Sequence, residues 1–78
     1  MDDRDFFRRI TQPPPEPRGT RIRLVSMPND PAPIEPGTEG TVEGGNGGQL
    51  WVKWDNGRAL MLAVGVDTYE VIGREEDE

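Results

Sequence analysis

Seventy-eight residues allow one domain at most, and a hydrophobic content of 32% with a mean hydropathy of -0.76 restricts it to a small core without room for a deep buried pocket. Cysteine and histidine are both absent, which excludes disulfides and thiolate or imidazole metal sites and leaves carboxylates as the only side-chain metal ligands. The net charge of -6 counts against binding nucleic acid through a broad basic surface.

Residues 1–18 balance four acids with four arginines and read as an arm. Asp3 to Ile10 fits a short helix with Asp2 or Asp3 as N-cap and Phe6, Phe7 and Ile10 on one side. Pro13-Pro14-Pro15-Glu16-Pro17 ends any helix and favours an extended, semi-rigid spacer. No apolar run approaches the roughly 20 residues of a membrane span. Met1-Asp2-Asp3-Arg4-Asp5 is too acidic for a signal peptide, so a cytoplasmic location is expected.

Residues 19–72 read as five short strands. The first is Arg21 to Ser26, with Ile22 and Leu24 inward and the arginines outward. Met27 to Gly37 contains Pro28, Pro31, Pro33 and Pro36, which cannot donate to a ladder, and is expected to be a long loop. The second strand is Thr38 to Glu43. A five-residue turn at Gly44-Gly45-Asn46-Gly47-Gly48 then sets Val42 opposite Leu50 and Glu39 opposite Lys53.

Strands three and four flank Asp55-Asn56-Gly57, and their register follows from the two-residue period of a strand. A two-residue turn would put Leu50, Val52 and Trp54 on one face and Leu60 and Leu62 on the other. A three-residue loop with a left-handed Gly57 instead pairs Trp54 with Arg58, Val52 with Leu60 and Leu50 with Leu62, keeping the apolar side chains together. Ala63 to Asp67 is a tight connection, Thr68 to Ile72 the fifth strand, and residues 73–78 an acidic, solvated tail. Short strands separated by turn signals favour an all-β, five-stranded SH3-like barrel with a flexible N-terminal arm and an acidic C-terminal tail.

Pro36-Gly37-Thr38-Glu39-Gly40-Thr41-Val42, followed by Trp54-Asp55-Asn56-Gly57 and Asp67-Thr68-Tyr69-Glu70-Val71-Ile72, resembles domain-of-unknown-function family 4314, a group of small bacterial and phage-encoded proteins. The resemblance implies a fold and no activity. The Gly-x-x-Gly-x-Val run at Gly37 to Val42 is also similar to the core of KOW motifs in ribosomal and transcription-elongation proteins, without the basic residues that accompany it there. Of the aromatic residues that line the proline-peptide groove of signalling SH3 domains, this chain has only Tyr69.

Asp55, Asn56 and Gly57 are accounted for by turn chemistry, because Asp and Asn bond nearby backbone and Gly supplies a positive φ. No Lys-Ser/Thr or helix follows Gly44 to Gly48, so that segment is not a phosphate cradle but a hairpin loop with conformational slack. Trp54 is expected at the barrel rim, with the Arg58 guanidinium stacked on it. Trp51 is expected on the outer face, opposite Met61 and Thr41 and near Lys53, either covered by Phe6 or Phe7 of the arm or forming the centre of a binding patch.

No catalytic residue, metal ligand or cofactor site is expected. A non-enzymatic protein-interaction module is, one that acts on a host protein or defence system if phage-encoded, with a homodimer as an option. The alternatives are a KOW-like nucleic-acid accessory protein using Arg21, Arg23 and Lys53, and an acidic nucleic-acid mimic using Glu70 and the tail.

Overall fold

A computed structural model of the chain describes residues 12–75. Five antiparallel strands form one sheet: β1 (Thr20–Ser26), β2 (Glu39–Gly45), β3 (Gln49–Trp54), β4 (Leu62–Ala63) and β5 (Thr68–Arg74). The order β4-β3-β2-β1-β5 places β4 and β5 at opposite edges, and the two do not pair with each other. The sheet is therefore open and not a closed barrel.

Alternation along β1 to β3 builds the core. Ile22 and Leu24 from β1, Val42 from β2 and Leu50, Val52 and Trp54 from β3 are buried together with Leu62, and each such side chain removed from water contributes about 1.5–3 kcal/mol. Met27 and Ile34, at either end of the proline-rich loop, complete the core. That loop is fastened to β1, because Gly37 donates its N–H to the Leu24 carbonyl at 2.7 Å and Leu24 donates to Thr38 at 2.9 Å.

The β3–β4 register is the one that the three-residue loop demands. Leu50 faces Leu62, Lys53 bridges Ala59, and the Trp54 and Arg58 backbones meet at 3.3 Å. Gly57 has φ +90°, and the Asn56 Oδ1 accepts the Arg58 N–H at 2.9 Å. Regular pairing is shorter than the pattern from Arg58 to Leu62 suggests, because β4 keeps only two residues.

The β2–β3 register departs from expectation by two residues. Val42 faces Val52, Thr41 faces Lys53 and Gly40 faces Trp54, so Val42 does not meet Leu50 and Glu39 does not meet Lys53. A bulge between Val42 and Gly44 and a tighter turn take up the difference: the Asn46 Oδ1 accepts the N–H groups of Gly48 and Gln49. A shift of two leaves every side chain on its expected face.

β5 runs past residue 72. Arg74 pairs with Thr20 inside the sheet, and the Glu75 N–H reaches the Gly19 carbonyl at 2.6 Å just beyond the end of β5, so neither residue is a free tail. The spacer is also tied down. Gly47 donates to the Gln12 carbonyl at 3.0 Å, the Tyr69 hydroxyl donates to the Glu16 carboxylate at 2.7 Å, and the Thr20 hydroxyl donates to the Pro17 carbonyl at 2.7 Å. The short helix expected between Asp3 and Ile10 lies outside the described residues.

Candidate interaction surface

The outer face of the sheet carries two unlike regions. Over β5, β1 and β2, side chains of opposite charge alternate across strands. Glu70 bonds Arg23 at 2.7 Å, Glu39 reaches Arg23 at 3.4 Å and Arg21 at 3.3 Å, and Asp55 holds Arg21 through two bonds of 2.9 and 2.6 Å. Arg21 also donates to the Thr41 hydroxyl at 3.0 Å. The hydrogen bond from Arg21 holds the Asp55 carboxyl below the usual carboxylate range, and the same bond raises the Arg21 guanidinium. Arg23 is raised first by its bond to Glu70 and then by Glu39.

Over β3 and β4 the surface is apolar. Trp51 is 51% exposed and Met61 49%. The pairings Leu50 to Leu62 and Lys53 to Ala59 set Trp51 and Met61 opposite one another. The Trp51 ring lies across Gly44, where an added Cβ would stand 3.2 Å from its Cε3, so one side of the indole rests on backbone and the rest faces solvent. Thr41 stands opposite Lys53 and not opposite Trp51, a consequence of the β2–β3 shift. Lys53 is exposed and makes no ion pair among the described residues. Phe6 and Phe7 lie outside the described residues.

Trp54 lies on the apolar face with Leu50 and Val52, as the register requires, but inside the core and not at a rim. It is 1% exposed, and its Nε1–H donates to the Leu60 carbonyl at 2.9 Å, making it a core residue with a satisfied polar tip. Arg58 hydrogen-bonds the Pro33 carbonyl at 3.0 Å, pinning the proline-rich loop to the β3–β4 turn. The glycines of the Pro36–Val42 run have separate tasks. Gly37 turns the chain at φ +92°, whereas a Cβ on Gly40 would stand 2.7 Å from Val52 Cγ1 and 2.9 Å from Trp54 Cε3.

With Gly37, Gly40, Trp54 and the Asp55-Asn56-Gly57 turn placed, the motif has a structural reason at each point, and the sequence profile of a domain of unknown function, DUF4314, matches residues 15–72. The chain belongs to DUF4314. The matched segment includes Glu16, whose carboxylate holds Tyr69, so the DUF4314 unit begins in the proline-rich spacer ahead of β1. Comparison with curated proteins and with solved structures finds no match.

Two features of the surface escaped the sequence reading. The ionic lattice needs Asp55 to reach Arg21 across 34 positions of sequence, which no local pattern encodes. Arg18 and Arg74 come together with Lys53 only through the pairing of β5 with β1.

Proposed function

We propose that this DUF4314 domain is a non-enzymatic protein-interaction module and that its contact surface is the outer face of β3 and β4 around Trp51 and Met61. The observation that carries the reading is the half-exposed indole of Trp51, backed by Gly44 and facing Met61 across the strands. A large aromatic whose ring is already fixed by backbone loses little entropy on contact, which is what an interface anchor requires. Lys53, two residues along the same face, supplies a cation for an acidic group beside the partner's apolar residue. A protein partner with an apolar side chain next to a carboxylate fits this surface. If the protein is phage-encoded, a host protein is the natural candidate.

The lattice also bears on the nucleic-acid alternative. Arg21 and Arg23 already hold Glu39, Asp55 and Glu70, and any phosphate would have to compete with those carboxylates. Glu70, in turn, is partly neutralised for a role as a nucleic-acid mimic. Capturing a partner with the intact chain, then titrating that partner against the wild type and Trp51→Ala, tests the proposal. A loss of ~2 kcal/mol, about thirtyfold in Kd, with an unchanged melting temperature supports it. An affinity indifferent to both Trp51→Ala and Met61→Ala removes this face from the interaction, and retention on heparin that falls steeply with salt favours the nucleic-acid reading.

A further inference from the structure

The chain has three methionines and no cysteine, so thioethers are its only sulfur and the side chains that a peroxide oxidises most readily. Two of them lie among the described residues, in opposite environments. Met27 is 6% exposed and belongs to the same buried cluster as Ile34, so an oxidant reaches it only when the domain opens. Met61 is 49% exposed on the outer face. It stands immediately before β4, the edge strand on that side, and no further strand among the described residues covers it.

The position of Met61 gives its oxidation a consequence. The β3–β4 register sets it opposite Trp51, and these two side chains make up the apolar part of the outer face there, with Lys53 and Ala59 in the next row. Converting the thioether to a sulfoxide replaces a flexible apolar group with a strong dipole that binds water. A partner's apolar side chain would then have to strip water from the S–O group without offering it a hydrogen bond, which is costly.

We propose that Met61 is a selective and reversible oxidation site, modified by hydrogen peroxide or an alkyl hydroperoxide, and that its sulfoxide turns the Trp51 face from apolar to polar. The sulfur lone pair attacks one peroxide oxygen, the O–O bond breaks as the S–O bond forms, and the other oxygen leaves as water or alcohol. Sulfur is oxidised by two electrons and the peroxide is reduced by two. A thiol-dependent sulfoxide reductase reverses the step, releasing water as two thiols become a disulfide. That the change also weakens a partner rests on the function proposed above.

The test treats the full chain with hydrogen peroxide over time and locates the added oxygen by mass spectrometry of its peptides. Met61 should oxidise about tenfold or more faster than Met27. Retention on a phenyl column reads the apolar face without any partner. The oxidised wild type should elute early, together with untreated Met61→Gln, and reductase treatment should restore the original retention. Peroxide should leave the retention of Met61→Leu unchanged, which assigns the effect to this position and not to Met1 or Met27. Oxidation of Met27 as fast as Met61, unchanged retention of the oxidised wild type, or an equal shift in Met61→Leu each overturns the proposal. Met61 lies outside the core, so melts of both variants should match the wild type and confirm that the fold is intact. Because the column needs no partner, failure here is separate from failure of the interaction reading, which the affinity of Trp51→Ala decides.

Discussion

Arg21 grips Asp55 through two parallel bonds, Nη1 to Oδ1 at 2.9 Å and Nη2 to Oδ2 at 2.6 Å, and so joins β1 to the β3–β4 turn across the intervening β2. This geometry is the bidentate fork that distinguishes arginine from lysine. Arg21→Lys should therefore lose most of the interaction despite keeping the charge. Exposure of the Asp55 side chain, 52%, limits its worth, and a double-mutant cycle on Arg21 and Asp55 should give a coupling of at most ~1 kcal/mol.

The same pair fixes the sign of one pH dependence. Because Arg21 holds the Asp55 carboxyl below its unfolded value of 3.8, the stabilisation is fully present above that value and is lost as pH falls through the lower folded value. Asp55→Asn keeps the turn chemistry and removes the titration. The gap in melting temperature between wild type and Asp55→Asn should be constant near neutral pH and close below about pH 4. A gap that persists at pH 2 would mean that Asp55 acts through the turn alone.

Tyr69 gives the opposite dependence at high pH. Burial, followed by its hydrogen bond to Glu16, pushes the phenol up to about 12 from 10.0. The unfolded chain loses the proton first, so the contribution is intact below pH 10 and is lost as pH rises toward 12. Tyr69→Phe should flatten the alkaline part of the stability profile while costing ~1 kcal/mol at neutral pH through the lost bond. Tyr69 is the sole tyrosine, so absorbance titration of the phenolate reads it directly. A midpoint near 10 in the folded protein would show that Glu16 is not docked in solution.

The two hairpin glycines should rank in the reverse of their sequence-based order. Gly57 was the expected constraint, with slack assigned to Gly44 to Gly48, yet Gly45 has φ +142° and an added Cβ there would run into the Gln49 carbonyl oxygen and stand 3.0 Å from the Leu50 Cα. Gly57, at φ +90°, faces open space. Gly57→Ala should cost ~1 kcal/mol of backbone strain, and Gly45→Ala should exceed it by ~1 kcal/mol or more because strand backbone must move as well. Urea unfolding of both variants measures the difference. Equal costs would mean that the turn yields to admit the methyl group.

Legibility in the sequence followed the strength of the local constraint. Asp55-Asn56-Gly57 supplies specific turn chemistry, and the β3–β4 register was readable from it to the residue. Five residues of Gly44-Gly45-Asn46-Gly47-Gly48 accept several turns, and a two-residue slip preserves the apolar face, so hydrophobic alternation could not detect the bulge after Val42. Ile34 has no periodic apolar neighbours in the Met27–Gly37 loop, and its burial arises only because Gly37, Thr38 and Arg58 hold that loop on the core. At the candidate surface, the outward direction of Trp51 and Lys53 followed from alternation. The partners of Arg21, Arg23 and Tyr69 depended on tertiary distance, which a single chain does not spell out.

The two tryptophans make the last prediction, because they stand three residues apart on one strand and face opposite ways. Trp54 is 1% exposed and donates to the Leu60 carbonyl at 2.9 Å, so Trp54→Ala removes a large core volume and leaves that carbonyl without its indole partner. A cost of ~3 kcal/mol or more is expected, enough to abolish cooperative unfolding in a domain of this size. Trp51→Ala removes contact with Gly44 and little else on the domain, and its cost should stay below ~1 kcal/mol. Fluorescence separates the residues further. In Trp51→Phe the remaining emission should be blue-shifted and protected from iodide, and in Trp54→Phe it should be red-shifted and quenched. Protection of Trp51 from iodide in the isolated wild-type chain, together with a large loss of stability in Trp51→Ala, would show that the outer face is already covered and would remove the surface on which the interaction proposal stands.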